Sequence, residues 1–258
     1  MPVSDLWRLD GKVAVVVGGT GGMGVAFSTA LAESGARLVV VGTTKVKADG
    51  VAEVLRSAGH EAVGLKCDVR NDAEVLQMAL DAVARFGRID ILINTAGINV
   101  RKVAEQVTEE EWLRVIDVNL VGAWRVARAV GRQMIAQRSG KVVTISSTRG
   151  TLALPWGYTA YCASKGGVNM LTKQLATEWA KYGICVNAIA PTYIDTPLIG
   201  PLLADKEIHE RLIRRIPMGR LGQTSDLVGA AIYLCSPASD FVTGHVLTVD
   251  GCVSATEF

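Results

Sequence analysis

The sequence of 258 residues has little of what marks several classes of protein. Its five cysteines are odd in number and form no CxxC pair, which favours a reducing compartment over a disulfide framework. The three histidines are widely separated, so we expect no metal site. No apolar run approaches the roughly 20 residues that span a bilayer, and charges interrupt the stretch MPVSDLWRLDGK where a signal sequence needs an apolar core. We therefore expect a cytoplasmic protein without a membrane partner.

Neither basic nor acidic residues are present in large excess. The 27 basic and 25 acidic residues are interspersed and leave a formal net charge of +2, so no basic stripe favours nucleic acid as a partner. Hydrophobic residues make up 49% of the chain and charged residues 20%, which excludes disorder and allows a large core. No linker or fixed-period repeat divides the chain, and we expect one domain over residues 1–258.

Short β-branched runs alternate with longer amphipathic stretches along almost the whole chain. This alternation predicts an α/β fold, a doubly wound parallel sheet of about seven strands with helices on both faces. The predicted strands are 13–17, 38–41, 62–66, 89–94, 141–146, 184–189 and 246–249. Gly35 is expected to end the first helix and Thr108 to begin a later one. Residues 191–224, rich in Pro and Gly, break the alternation and predict a mobile substrate loop.

A glycine-rich loop, GGTGGMG, directly follows the first predicted strand. It places Gly18, Gly22 and Gly24 in a Gly-x3-Gly-x-Gly spacing, with Thr20 and Met23 between them. Glycines at a strand-to-helix turn let backbone N–H groups approach a pyrophosphate at the helix N-terminus. A tight turn that binds nothing needs the same glycines, but the place in the first βαβ unit favours dinucleotide binding.

The end of the second predicted strand bears on which dinucleotide is bound. Gly42 stands where an acid would hydrogen-bond the 2′-hydroxyl of NAD. Without that acid a 2′-phosphate meets no repulsion, and Thr43, Thr44, Lys45 and also Lys47 are within reach of it. This pattern favours NADP over NAD. No arginine directly follows Gly42, and the lysines also fit a solvated helix start.

The third predicted strand is followed by Asp68 and Val69. Asp68 is a candidate acceptor for the adenine amino group, with Val69 beside it as an apolar wall. The same aspartate equally fits a cap for the next helix, and the sequence leaves both readings open.

A tyrosine and a lysine stand four residues apart in the stretch AYCASKGGV. Residues i and i+4 share one helix face, so Tyr161 and Lys165 can point at the same place. A predicted strand ends in TISS before them, with Ser147 as its last residue and Ser146 as a rival hydroxyl. Asn119 lies in the helix before that strand.

Taken in this order, the motifs resemble those of the short-chain dehydrogenase/reductase family, in its single-domain branch. The matching parts are the glycine loop, NTAG (94–97), the four residues Asn119, Ser147, Tyr161 and Lys165, and IAPTYIDT (189–196). The resemblance implies a Rossmann-like fold, oxidoreductase activity and a homotetramer. It also implies cofactor contacts from Asn94, Ala96, Gly97, Tyr161, Lys165, Ile194 and Thr196.

The resemblance assigns roles to the four matched residues. Tyr161 would exchange the proton of the alcohol, and Ser147 would hold the substrate oxygen. A phenol has a pKa of ~10, and we expect the Lys165 ammonium to lower the pKa of Tyr161 by ~3 units, or ~4 kcal/mol. Lys165 would also grip the nicotinamide ribose, and Asn119 would bend its helix around a water that links Lys165 to solvent.

Several positions depart from the family pattern. Val17 precedes the first loop glycine in place of the usual threonine, and Thr95 replaces an asparagine. Thr192 follows Pro191 in place of glycine, and Cys252 replaces the second of two glycines near the end. None of these changes removes a reacting group. Val17 and Thr95 bear on how firmly the loops are held, and Thr192 on the width of the nicotinamide pocket.

The substrate is expected to be a small hydroxy or keto compound. AGINVRK, MLTKQLATEWAKYGICVNAIAP and LVGAAIYLCSPASDFVTGHVLTVDG resemble the gluconate 5-dehydrogenase subgroup of the family and, more loosely, 3-oxoacyl-carrier-protein reductases. We therefore expect a sugar acid first and a 3-oxoacyl thioester second. A protein that senses NADP(H) without chemistry is the alternative from another class, although it would be expected to lack Tyr161 or Lys165.

Residues flanking the predicted catalytic groups are candidates for substrate contact. They are Asn99, Val100, Arg101, Arg149, Trp156, Tyr158, Tyr193 and Leu198. Guanidinium groups bind carboxylates in a bidentate way, so Arg101 and Arg149 would suit an anion, although arginines more often lie on the surface. Trp156 fits stacking on a sugar ring and fits packing equally well.

Overall fold

The computed structural model describes residues 2–197, 199–200 and 205–256. Within these ranges a seven-stranded parallel sheet has the order β3-β2-β1-β4-β5-β6-β7, which confirms the predicted fold class. The strands are β1 Val13–Val17, β2 Arg37–Gly42, β3 Ala62–Lys66, β4 Ile91–Asn94, β5 Gly140–Ile145, β6 Ile184–Pro191 and β7 Val246–Val249. Four of them differ from the predicted ranges by one or two residues at an end.

Helices connect the strands and cover both faces of the sheet. Their bounds are α1 Gly22–Glu33, α2 Lys45–Ser57, α3 Asp72–Phe86, α4 Glu109–Ile116, α5 Gly122–Gln137, α6 Thr159–Trp179, α7 Lys206–Arg214 and α8 Thr224–Cys235. A single π-helical turn, Asp117–Val121, joins α4 directly to α5. No helix in the described ranges has both the length and the apolarity that a bilayer crossing requires.

The two helix ends predicted from sequence are confirmed. Gly35 follows α1 with a φ of +103°, a conformation that favours glycine. Thr108 forms a capping box at the start of α4, in which its hydroxyl accepts from Glu111 N and the Glu111 carboxylate accepts from Thr108 N. Acidic residues fill the first turn of α4, where the helix dipole favours them.

Strand β1 sends alternate side chains to two apolar cores, one on each face of the sheet. Val15 belongs to the core that includes Val126 of α5. Val16 belongs to the other core, with Phe27 of α1 and Leu227 of α8. This double burial explains why the strands read as continuous β-branched runs rather than as alternating patterns.

The strand order reverses direction at β1. The chain builds β2 and β3 on one side of β1, then returns to place β4 on its other side. Side chains and loops that follow the carboxyl ends of these strands meet in the crevice at this switch point. The glycine loop, Gly42, Asp68, Thr95 and Ser147 all follow or end strands at this edge of the sheet.

The predicted substrate loop, 191–224, contains regular structure. It includes α7 and a β-bridge between Ile194 and Gly222. A third apolar cluster, formed by Leu212, Ile216, Leu221 and Val253, lies under it. Leu198 and residues 201–204 of this segment lie outside the described residues. The mobility of the loop stays a prediction.

Candidate active site

The glycine loop lies too close to neighbouring backbone and side-chain atoms to carry side chains at these positions. Gly18 has a φ of +75°, and a Cβ on it would lie 2.4 Å from Thr95 Oγ1. A Cβ on Gly24 would lie 2.2 Å from Gly18 O, and one on Gly22 would lie 3.2 Å from Thr196 Cγ2. The loop therefore presents backbone at the start of α1 to a cavity of about 910 Å³, which Thr20 and Met23 also line.

Thr95, one of the departures from the family pattern, ties β4 to this loop. Its hydroxyl donates to Val17 O at 3.0 Å, and its backbone N–H donates to the same oxygen at 2.8 Å. The threonine therefore holds the residue before Gly18 through both its side chain and its backbone.

Gly42 forms the far end of the cavity together with Thr20 and Thr43. A Cβ at Gly42 would lie 2.6 Å from Thr20 Cγ2. Any side chain at this position, a carboxylate included, would have to displace Thr20. Gly42 therefore brings no carboxylate to this end of the cavity, where an acid would meet a ribose 2′-hydroxyl.

Thr44 and Lys45 lie beside the cavity rather than in its wall. Thr44 is the exposed N-cap residue of α2 and makes no side-chain cap bond. Lys45 Nζ lies 2.5 Å from Asp49 Oδ1 in an exposed ion pair, and Lys47 is exposed on the same helix. These positions match the solvated helix start that the sequence left open.

Asp68 and Val69 both line the cavity. The alternative role of Asp68 as a helix cap is wrong, because the Asn71 side chain caps α3 by accepting from Ala73 N and Glu74 N. Asp68 instead pairs with Arg70, Nη2 to Oδ2 at 2.5 Å, and this hydrogen bond lowers the pKa of the carboxyl group. Arg70 lines the cavity as well, and the sequence analysis missed it.

The NTAG segment shapes the middle of the cavity. Asn94 is 2% exposed, and its Oδ1 accepts from Ala96 N at 3.1 Å. It therefore supports the turn from within, while Ala96 and Gly97 line the cavity wall.

Asn119 lies in the π-helical turn between α4 and α5. The sequence expectation of a bend in this helix corresponds to that turn. Asn119 Oδ1 accepts from Ile98 N at 2.8 Å, and Nδ2 donates to Ile98 O at 2.9 Å and to Ser164 Oγ at 3.0 Å. The side chain thus fastens the segment after β4 to α6, the helix that carries Tyr161 and Lys165.

Ser147 lies just beyond β5, in a second cavity of about 200 Å³ beside the first. Its Oγ accepts from Arg149 N at 3.1 Å and interacts with the Tyr161 phenol through a hydrogen bond. Ser146 also lines this cavity, but its Oγ donates to Asn169 Oδ1 at 2.5 Å. That bond engages the Ser146 hydroxyl and leaves Ser147 as the hydroxyl next to the phenol.

Tyr161 and Lys165 share one face of α6, and both line the second cavity. Lys165 is 4% exposed, and its Nζ donates to Ile145 O at 2.7 Å. The same nitrogen lies 5.6 Å from the Tyr161 ring centroid. Tyr158 packs edge-on against Tyr161 with their ring centroids 6.0 Å apart.

The expected lowering of the Tyr161 pKa is wrong for the protein alone. Burial raises the pKa of Tyr161 to about 12, and the Ser147 hydrogen bond and the Arg149 charge only partly oppose the rise. Burial also lowers the pKa of Lys165 to about 8. Both shifts have one physical cause, since a low-dielectric interior disfavours the charged form of either group.

The second cavity contains polar atoms without partners among the described residues. Arg149 is 5% exposed, and its Nη2 has no hydrogen-bond partner. The Tyr193 hydroxyl, Thr192 Oγ1 and Asn99 Oδ1 are in the same condition. Thr148 Oγ1 is also unpartnered, and the sequence analysis missed this residue because its burial depends on the turn after β5.

The other candidate substrate residues differ in where they lie. Arg101 is exposed at the rim, with its guanidinium 5.4 Å from the Tyr158 ring centroid, and both line the second cavity. Trp156 packs instead against the apolar cluster of Leu212, with the Arg211 guanidinium 4.3 Å from its ring centroid. The structure thus places Trp156 in a packing role.

The second cavity adjoins the first through shared walls. Met23, Thr95, Gly97, Asn99 and Thr196 line both, and Ile194 and Thr192 line the second. Across residues 2–197, 199–200 and 205–256, no group of three or more His, Cys, Asp or Glu side chains is arranged to hold a metal ion. The pair of cavities fits an extended ligand in the first and a smaller one in the second.

Comparisons with known proteins match nearly the full length of the chain. The family model described as Enoyl-(Acyl carrier protein) reductase matches residues 18–254. A 2-dehydro-3-deoxy-D-gluconate 5-dehydrogenase of Formosa agariphila is 40% identical over 98% of this chain and 96% of its own length. A galactitol 2-dehydrogenase of Rhizobium johnstonii is 38% identical over 97% of this chain and 98% of its own.

A solved structure shows the same likeness in three dimensions. The crystal structure of a gluconate 5-dehydrogenase from Burkholderia cenocepacia J2315, in complex with NADP and tartrate, superposes with a TM-score of 0.96. The two chains are 40% identical, and the match covers 99% of this chain and 100% of the other.

Proposed function

The chain belongs to the short-chain dehydrogenase/reductase family, and on this premise we propose that it is an NADP(H)-dependent oxidoreductase that interconverts a secondary alcohol and a ketone. The observation that carries the proposal is the meeting of Ser147, Tyr161 and Lys165 in a cavity that adjoins the larger, glycine-lined one. Such a pair of cavities suits a nucleotide and a small substrate whose reacting ends meet.

The residues of the larger cavity fit NADP. The crowding of Gly24 against Gly18 O leaves only backbone to meet a pyrophosphate, and Gly42, in place of an acid, brings no charge that would repel a 2′-phosphate. The proposed contacts are Gly18, Thr20, Gly22, Met23, Gly24, Thr43, Asp68, Val69, Ala96, Gly97, Ile194 and Thr196. Bound there, the nicotinamide supplies or accepts the hydride.

Each member of the catalytic group has a proposed task. Ser147 holds the substrate oxygen, and Tyr161 passes the proton between that oxygen and the enzyme. Lys165 contributes positive charge and contacts the ribose. Asn119 is a positioning residue, because its bonds to Ile98 and Ser164 hold α6 against the segment after β4.

The substrate is proposed to belong to the class of sugar acids and polyols. The relatives named above act on compounds of this class, and unpartnered polar atoms in the second cavity suit several hydroxyl groups. Arg101, Arg149, Tyr158 and Tyr193 are the proposed substrate contacts.

We further propose a cytoplasmic homotetramer. Support comes from the family resemblance and from apolar side chains that remain exposed on α4, α5 and α6. Leu113 is 55%, Trp124 40% and Met170 63% exposed.

The test is the initial rate with NADP(H) and with NAD(H), in parallel, on D-gluconate, 5-keto-D-gluconate, galactitol and a 3-oxoacyl thioester. We expect turnover of a sugar acid or polyol with NADP(H) preferred. Turnover of the thioester alone would replace the proposed substrate class. Binding of NADPH without turnover of any compound would favour the sensing role over catalysis.

The Tyr161→Phe variant tests the catalytic assignment. It should bind NADPH as tightly as the parent protein and lose at least about 100-fold in kcat, since general acid/base groups typically contribute 10²–10⁴-fold. Tyr182→Phe, at a partly buried tyrosine that packs against the core of Val15 and Val126, is the matched control and should retain activity. Full activity of Tyr161→Phe would remove the assignment.

A further inference from the structure

Among the arginines in the described ranges, Arg149 is the one that is buried and also has no ion pair with a carboxylate. Arg88, Arg125 and Arg220 each pair with a carboxylate and keep part of their surface in water. Arg149 is 5% exposed, has no ion pair among the described residues, and leaves Nη2 without any hydrogen-bond partner. A buried cation in this condition costs several kcal/mol unless an anion meets it.

The cavity that Arg149 lines offers no anion of its own. Its described lining contains the cations Arg101, Arg149 and Lys165 and contains no aspartate or glutamate. Leu198 and residues 201–204, which lie outside the described ranges, include no aspartate or glutamate in the sequence. The site therefore carries positive charge that only an incoming molecule can balance.

Packing alone does not account for this arrangement. The Arg149 guanidinium lies 5.8 Å from the Tyr193 ring centroid, so the ring orients the side chain and contributes a cation–π interaction. An aromatic face accepts no hydrogen bond in the guanidinium plane and leaves Nη2 unpaired. The Tyr193 hydroxyl, at the edge of the same ring, is buried and interacts only with the Tyr158 phenol. The pair thus presents adjacent donors that a carboxylate can accept from.

We propose that the Arg149 guanidinium binds the carboxylate of the substrate, with the Tyr193 hydroxyl beside it, and that this contact selects sugar acids over polyols. This inference rests on the proposed function and narrows its substrate class. Arg149 follows Ser147 by two residues, and its backbone N–H donates to Ser147 Oγ. The carboxylate is therefore held on the same short turn that holds the reacting oxygen.

Neutral residues complete the recognition of such a substrate. Thr148 Oγ1, Thr192 Oγ1 and Asn99 Oδ1 are buried and unpartnered in the described structure, and all three residues line the cavity. They offer hydrogen bonds to hydroxyl groups and cannot neutralise a charge. Of the three cations in the lining, Arg101 is exposed at the rim and Lys165 Nζ donates to Ile145 O, so discrimination between an acid and a polyol of equal length falls mainly to Arg149.

The decisive variant is Arg149→Met, compared on D-gluconate and galactitol with NADP⁺. Hydrogen bonds to charged groups contribute about 1.5–3 kcal/mol, which corresponds to roughly 10- to 150-fold. We expect KM for D-gluconate to rise by that factor, while KM for galactitol changes less than about threefold. Arg149→Lys should restore part of the loss, because lysine keeps the charge without the planar fork.

Arg37→Met is the matched control. Arg37 also lies over an aromatic ring, 5.3 Å from the Phe86 centroid, and also has a buried unpartnered nitrogen, but it begins β2 at the opposite edge of the sheet. This variant should leave both KM values unchanged. Melting temperature and NADPH affinity of each variant show whether the fold and the larger cavity are intact.

Calorimetry of tartrate and D-gluconate binding to the NADPH-loaded protein separates carboxylate recognition by Arg149 from the proposed oxidoreductase function. If Arg149→Met and Arg149→Gln bind neither tartrate nor D-gluconate but still bind NADPH, the result supports carboxylate recognition by Arg149. This holds even if the enzyme turns over no substrate in the panel. Equal binding in parent and variants, or no binding by the parent, overturns it. A parent enzyme that prefers galactitol to D-gluconate overturns it too, while the oxidoreductase assignment stands.

Discussion

Lys165 is almost fully buried, and its proton is held less firmly in the folded protein than in the unfolded chain. Burial lowers its pKa from 10.5 to about 8. Between these two pH values the unfolded chain binds the proton and the folded protein does not, so stability rises with pH through this window. Below pH 8 the cost of the buried charge is present in full.

Lys165→Met removes this dependence. Relative to the variant, the parent protein should gain up to about 3 kcal/mol in free energy of unfolding between pH 7.5 and pH 10.5, since one pKa unit corresponds to 1.36 kcal/mol. Urea unfolding at a series of pH values measures the difference. Lys173→Met, at an exposed lysine of the same helix, is the matched control for the loss of a lysine from α6. Parallel curves for parent and Lys165→Met would contradict the expected burial effect.

For single residues, the sequence predicts which side chains form the site better than it predicts how those side chains are buried and packed. Spacing on one helix face singles out Tyr161 and Lys165, whereas Ser147 and Asn119 follow from the family resemblance. The direction of the Tyr161 shift was not predictable, since it depends on burial by segments far away in the chain. Trp156 shows the same limit, because its packing partners come from α7 and the segment beyond it.

Among the helices, α4 depends most visibly on its first turn. Thr108→Ala breaks the capping box and should cost about 1 kcal/mol of stability, the usual effect of losing an N-cap hydroxyl. Thr44→Ala is the matched control, because Thr44 occupies the N-cap position of α2 and makes no side-chain cap bond. Denaturant midpoints measure both, and equal losses would show that the bond in α4 adds nothing.

The glycine loop offers a second matched pair. Gly24→Ala places a Cβ 2.2 Å from Gly18 O and must shift the loop, so NADPH affinity should fall at least about tenfold, or 1.4 kcal/mol. Gly21→Ala brings its Cβ no closer than 3.5 Å to Gly18 O and should bind NADPH normally. Fluorescence titration with NADPH compares them. Equal affinities would show that backbone position at Gly24 is not what binds the pyrophosphate.

The sequence predicts where most strands and helices lie. It does not predict the residues at which they end or how one element joins the next. Strand β4 starts at Ile91 rather than 89, because the Asp90 side chain accepts from Val13 N at the beginning of the ladder. The π-helical turn at Asp117–Val121 interrupts what reads as one continuous helix, since its extra residue per turn leaves no local mark in composition. That turn holds Asn119, so the bend that the family resemblance implied lies in the site, while its π-helical form could not be read from the residues.

For the whole molecule, the proposed homotetramer predicts that an exposed apolar side chain lies between subunits. Trp124, 40% exposed on α5, should lie in an interface of the proposed homotetramer. Trp124→Glu should lower the molar mass found by light scattering at micromolar concentration, because a carboxylate in an apolar interface is left unpaired. Val54→Glu, at a 69% exposed valine of α2, should leave the mass of the parent unchanged. A monomeric parent would refute the tetramer directly.

The strand order also sets a schedule for synthesis on the ribosome. Strand β1 pairs with β4, so Val13–Val17 must wait until Ile91–Asn94 has been translated before its second neighbour exists. At about 5–20 residues per second, one edge of β1 in the nascent chain therefore has no neighbouring strand for several seconds. Helices α1, α2 and α3 are made during that interval and are available to cover the growing sheet. Slow codons placed between β3 and β4 should therefore lengthen the time in which an emerging chain can be captured by a chaperone.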